Sequence, residues 1–181
     1  NVPLMKRAAS ILCLILMSAL FLDETIAQEQ YLGGTFSYAG TGIEYVRDVD
    51  SNTFVCCQLR LDTSSMFWSR MSNPGISASA IWNVVFAGFE SRNGVPVDFY
   101  AGPGVSVGYG VDIFGPPGMF IGLKGRIGAE CRFPRGIAVS LSLSPLIGGH
   151  FKMMDGMVNM RLFKSGLYYG LMPEAGIRYN F

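Results

Sequence analysis

Apolar and polar residues alternate with a period of two over most of the chain beyond residue 30. Between 119 and 133 one set runs Met119, Ile121, Leu123, Gly125, Ile127, Ala129, Cys131 and Phe133. The intervening set is Phe120, Gly122, Lys124, Arg126, Gly128, Glu130 and Arg132. Strands put every second side chain on one face; helices do not. The same alternation recurs at 55–62, 97–113, 137–144 and 174–181, and more weakly at 158–163. It predicts eight strands, at 33–48, 52–62, 76–91, 96–113, 118–133, 136–150, 157–164 and 172–181. Turn chemistry separates them, as in Asn73-Pro74-Gly75, Arg92-Asn93-Gly94 and Gly115-Pro116-Pro117-Gly118. Residues 33–48 carry a phase shift, for which a bulge at Gly40 or Gly42 is the expected cause. Residues 76–90 are apolar on both faces. No helical crossover interrupts the series, so the expected fold is all-β: an eight-stranded, antiparallel, up-and-down transmembrane barrel.

Alternation does not by itself say which face points inward. A soluble barrel puts the apolar set inside, an outer-membrane barrel outside. The polar set here is rich in glycine and serine. Its charged members are Glu44, Arg60, Asp62, Asp98, Lys124, Arg126, Glu130, Arg132, Arg161, Glu174 and Arg178. These are close to self-neutralising, as buried charges must be, and a solvated face needs no such balance. Several expected strands also exceed the usual 5–6 residues of soluble sheets. Both features favour a charged, salt-bridged lumen and an apolar exterior.

The N-terminal region bears on location. Lys6 and Arg7 precede an apolar run, Ala8 to Leu22, followed by Thr25-Ile26-Ala27. Basic start, apolar middle and small-residue end make a secretory signal peptide over 1–27, with Met5 as the expected start and residues 1–4 upstream of it. The run is short for a spanning helix, and no later stretch is long enough. A mature chain that enters a membrane therefore does so as a closed barrel, here over 28–181. The net charge of +1 and the absence of a basic stripe exclude a strongly basic nucleic-acid binder. Half of the 181 residues are hydrophobic and only 15% are charged, which excludes intrinsic disorder.

The ending Gly176-Ile177-Arg178-Tyr179-Asn180-Phe181 resembles the C-terminal signature of bacterial outer-membrane barrels. With Phe99 to Val105, Gly125 to Pro134 and the serine-leucine strand at 139–144, the C-terminal half resembles the small outer-membrane barrels of Bacteroidota, an OmpX/OmpA-like group. That resemblance implies a bacterial outer-membrane location, a lipid surround and monomeric state. It also implies recognition by the barrel-assembly machinery through Tyr179 and Phe181. It carries no reaction, and the expected role is structural or interactional at the cell surface. One feature departs from the family pattern. With the first strand at 33–48, the connections at 49–51, 92–95, 134–135 and 165–171 fall on the outer side and are all short, while the longest, 63–75, falls on the periplasmic side.

Candidate chemistry is sparse. His150, the only histidine, shares parity with Ser140, Ser142 and Ser144. Ser144 lies about 20 Å from it along a strand, too far for a nucleophile–base pair, so a structural histidine is expected. Gly102-Pro103-Gly104 lacks the following helix that a phosphate loop requires. Cys56 and Cys57, as strand neighbours, face opposite ways; with Cys131 they are expected to be free, and they lack metal-site spacing. No cofactor and no enzymatic activity are expected. The alternatives are a barrel that binds or transports a small solute or lipid, a lipid A hydrolase, and a secreted lipocalin-like barrel with reversed faces.

Overall fold

The computed structural model describes residues 29–63, 75–92, 94–112, 117–154 and 157–181. The expected leader and nearly all of the 63–75 connection lie outside the described residues. Ten strand segments, β1 (Gln30–Ser37), β2 (Gly40–Asp50), β3 (Thr53–Asp62), β4 (Gly75–Glu90), β5 (Pro96–Val111), β6 (Pro117–Phe133), β7 (Ile137–Leu143), β8 (Leu146–Met154), β9 (Met157–Leu162) and β10 (Glu174–Asn180), accompany one short helix, α1 (Lys164–Gly170). All pairings are antiparallel. Neighbours in sequence pair from β1 to β7, β7 pairs with β10, and β10 returns to β1. The circle is a closed eight-stranded up-and-down barrel.

The expected strand number is met, but by a different division of the chain. Residues 33–48 are not one bulged strand: they form the β1–β2 hairpin, turning at Tyr38 and Ala39. At Gly40 a Cβ would lie 2.0 Å from the Leu61 carbonyl oxygen, so the turn seats a glycine hard against β3. At the other end, β9 is not a member of the circle. It pairs only with β8, as a ribbon beyond the barrel's seam. Register shifts lie instead at the end of β2, between Asp48 and Asp50, and in β4, where Val85 faces Tyr100 and Ala87 faces Phe99. That extra residue lets Trp82, Val84, Phe86 and Phe89 all point outward, although they differ in parity. This is why 76–90 looks apolar on both faces.

Pro145 interrupts the seventh wall strand between β7 and β8, yet both segments keep one register against β6: Ile127 faces Leu143, and Lys124 faces Leu146. Strand partners can be followed around the wall from Ala138 through Arg178, Gly33, Glu44, Gln58, Ser79, Ser106 and Gly122 to Gly148. The path returns to the seventh strand ten residues along (148 − 138), and a stagger of ten over eight strands tilts them by about 40°. Every residue on this path faces the interior.

The hairpin at 38–39 also reassigns the two ends. The short turns at 51–52, 91–95 and 134–136 lie at the end that holds Gln30 and Phe181. The 38–39 turn and the strand ends Asp62, Gly75, Val111 and Pro117 lie at the opposite end, with the β8–β9 ribbon. The expected ends of the connections before β9 were exchanged because one missed turn flips the direction of the strands that follow it; β10 runs as expected because β9 drops out of the circle.

Candidate functional site: a charged lumen under an aromatic cap

The outer face of the wall is apolar almost without break. Leu32, Ile43, Leu59, Trp82, Val105, Leu123, Leu141 and Ile177 are exposed large side chains from eight wall strands. The inner face carries the polar set. Its small members are there because the strands curve tightly: a Cβ on Gly102 would sit 1.8 Å from the Trp82 carbonyl oxygen, and one on Gly33 would sit 2.0 Å from that of Ile177.

The charged side chains form one file of alternating sign. Arg132 Nε pairs with Glu130 Oε1 at 3.0 Å, and Arg178 Nη1 with Glu130 Oε2 at 2.5 Å. Arg178 Nε meets Glu44 Oε1 at 2.6 Å, and Arg126 Nη1 meets Glu44 Oε2 at 2.7 Å. Arg126 Nη2 then reaches Glu174 Oε1, and Arg60 Nη1 reaches Glu174 Oε2, each at 3.1 Å. Four strands, β2, β3, β6 and β10, contribute. Arg178, Arg126, Glu44, Glu130 and Glu174 are all buried. Full burial of guanidinium and carboxylate is tolerated here because each charge has opposite neighbours and further hydrogen bonds. Arg178 Nη2 donates to Ser140 Oγ at 3.1 Å, and Arg126 Nε donates to Ser144 Oγ at 3.3 Å.

The file ends among carboxylates near the termini, where Arg132 meets Asp48 at 3.2 Å, Glu29 at 3.8 Å and Asp98 at 4.0 Å. Beside it Tyr31, Val46, Phe54, Tyr100 and Ala138 pack as an apolar floor, with the Phe54 and Tyr100 rings edge-to-face at 5.1 Å.

The remaining expected lumen residues stand apart from the file. Asp62 is half-buried at the opposite end. Lys124 is buried but bonds to neutral groups, donating to Gln58 Oε1 at 2.8 Å and Ser79 Oγ at 3.2 Å. Arg161 is not a lumen residue: it is exposed on β9, because β9 lies outside the circle. Tyr179 and Phe181 are exposed on the outer face.

Several participants in this network were not assigned to it from the sequence. Gln58 bridges Lys124 and Glu174, donating to Glu174 Oε1 at 3.0 Å and to Thr35 Oγ1 at 3.0 Å. The Cys56 thiol donates to Glu44 Oε2 at 2.9 Å and accepts from Arg126 Nη1 at 3.0 Å. Parity placed both beside Arg60, so the strand pattern held the signal. Asp48 fell in the misread first strand. All three described cysteines are free. Cys56 sits in a polar setting, between Glu44 and Arg126.

At the end away from the termini the lumen is capped. Phe163 stacks on Phe120 with ring centroids 4.3 Å apart, and His150 stacks on Phe163 at 5.7 Å. The His150 Nε2 lies 3.4 Å from the Gly110 carbonyl oxygen. Ser140 and Ser144 are taken up by guanidinium groups. α1 lies across this end. The Ser165 backbone N–H donates to Asp112 Oδ1 at 2.8 Å, and its hydroxyl donates to the Val111 carbonyl at 3.2 Å. Gly166 and Gly170 seat α1 against Leu146 and Pro145, where an added Cβ would lie 2.5–2.9 Å from wall atoms. Between cap and charge file is a cavity of about 60 Å³, room for a few water molecules.

Among the described residues no cluster of His, Cys, Asp and Glu is suited to a metal ion. Chemically, the arrangement fills and stiffens a lumen. Neither the known protein-family models nor the curated proteins match this chain.

Proposed function

We propose that the protein is an integral β-barrel of a bacterial outer membrane, of the small OmpX/OmpA-like kind found in Bacteroidota, with a structural or surface-interaction role. The observation that carries this reading is the polarity of the wall: large apolar side chains cover the outside of a closed barrel whose inside is ionic. Such a surface is costly in water, since exposed apolar patches on soluble monomers rarely exceed a few hundred Å². In lipid it is the favourable arrangement, and closure leaves the circle without an edge. β4, β5 and β6 have 16, 16 and 17 residues, more than the 9–11 of a tilted span. The longest connection, between β3 and β4, leaves from the end away from Gln30 and Phe181, which is the outer side in such barrels. The filled lumen supports a stiff, non-conducting body rather than a pore. On this reading the 1–27 leader is removed on export, Tyr179 and Phe181 address the chain to the assembly machinery, and the barrel is a monomer surrounded by lipid.

Cell fractionation with gel migration tests it. The expected result is recovery in outer-membrane fractions and a faster-migrating band when the sample is not boiled. A soluble periplasmic or secreted protein with no heat-dependent shift would refute the proposal.

A further inference from the structure

Lys124 is the one cation of the buried lumen that faces no carboxylate within ion-pair distance among the described residues. It is 5% exposed. Two of its three ammonium protons are used, on the neutral Gln58 and Ser79 acceptors. An ammonium has three donors, and the described residues supply hydrogen-bond acceptors for two of them. Every other buried cation lies between opposite charges, whereas an uncompensated buried charge is strongly unfavourable.

The same ammonium lines the cavity beneath the cap. Arg60, Ser77, Ser106 and Ser144 share that lining, and Asp62 stands on it as well. Arg60 is already paired with Glu174. The wall thus offers one ammonium without a carboxylate partner, one guanidinium and three hydroxyls around a small space. The volume of about 60 Å³ admits a monatomic or triatomic ion with a water or two. It is too small for a sugar, a nucleotide or an acyl chain. Asp62 disfavours multivalent anions.

We propose that this cavity is a binding site for a small monovalent anion of the chloride or formate class, with Lys124 as its counter-charge. The anion completes the sign alternation that the protein itself leaves open at this end of the lumen, and ties β6 to the capped end.

The experiment uses the full chain refolded in detergent micelles, with thermal unfolding followed in sodium bromide, sodium formate and sodium sulfate at equal ionic strength. For wild type, Tm should rise by about 3–6 °C per tenfold increase in bromide or formate above the Kd. Sulfate should not reproduce this rise. In Lys124→Met the difference between the monovalent ions and sulfate should vanish. Equal responses of wild type and Lys124→Met to all three salts would overturn the proposal. Should the variant not fold, crystals of wild type grown in bromide decide the matter. An anomalous peak within about 3.5 Å of Lys124 Nζ supports the site, and its absence from the cavity rejects it.

Discussion

Arg126 touches four side chains outside its own strand: Glu44 on β2, Cys56 on β3, Glu174 on β10 and Ser144 in the break between β7 and β8; through Glu174 it is linked to Gln58. No single bond explains its place. Among the described residues its guanidinium is the only group that neutralises Glu44 and Glu174 together. Replacing it leaves Glu44 with Arg178 alone and Glu174 with the partly exposed Arg60. Arg126→Met keeps the bulk and removes the charge. Breaking a buried pair of this kind costs about 3–5 kcal/mol, so urea unfolding of the refolded protein should show a loss of that size. A loss below about 1 kcal/mol would mean that the carboxylates are neutralised by other means. At this scale the sequence was legible in part. Parity placed Arg126, Glu44, Glu174 and Arg178 on one face, because period two is a local property. It could not pair Arg178 with Glu44 or Glu130, since those contacts depend on the stagger of distant strands. Neutral partners such as Gln58 left no mark, because nothing in their own segment distinguishes them from a solvated residue.

Among the elements, β4, β5 and β6 show how residue choice sets curvature. Gly102, Gly104 and Gly108 on β5 face inward where β4 passes close by. Gly102→Val would force a side chain into the Trp82 carbonyl. Overpacking of a tight site costs typically 1–3 kcal/mol, and here the obstacle is backbone, which cannot rotate away. The expected outcome is a sharp fall in refolding yield and in the urea midpoint. Gly34→Ala is the matched control, because a Cβ there meets only ordinary contacts at 3.5 Å or more. A Gly102→Val barrel as stable as wild type would contradict the close approach of β4 and β5. Strand interiors were readable for the same reason as lumen parity; turns were less so. Tyr38-Ala39 carries none of the Asn-Gly or Asp-Gly chemistry that marks a tight hairpin, so β1 and β2 read as one strand. The C-terminal ribbon alternates as a wall strand does, although β9 never joins the circle. The two departures offset each other in the strand count and in the direction of β10, but the strands between them run opposite to expectation, which is why their loops exchanged ends.

At the level of the whole molecule, the apolar exterior and the ionic interior make opposite demands on solvent, and one substitution distinguishes the possible surroundings. Leu123 lies near the middle of β6 and is 72% exposed. In water, replacing it with arginine would be neutral or favourable. In a bilayer, arginine at the midplane of a barrel wall costs about 2–4 kcal/mol. Leu123→Arg should therefore lose stability by that amount when folded into phospholipid vesicles. A change within 0.5 kcal/mol, the range of ordinary surface substitutions, would remove lipid from that face.

The seam between β1 and β10 has a further consequence, for the order of events in assembly. All but a few wall contacts are hairpins between neighbours in sequence, but Tyr31 meets Asn180 across almost the entire described chain. β10 is also the strand that delivers Glu174 and Arg178 to the charge file. Until it docks, Glu44 and Glu130 each lack a partner cation, and Arg60 and Arg126 each lack a shared carboxylate. A half-closed sheet thus keeps its interior hydrated and open, because drying it would strand those charges. Dehydration of the lumen and closure of the circle become a single event, and β10 acts as the key that permits both.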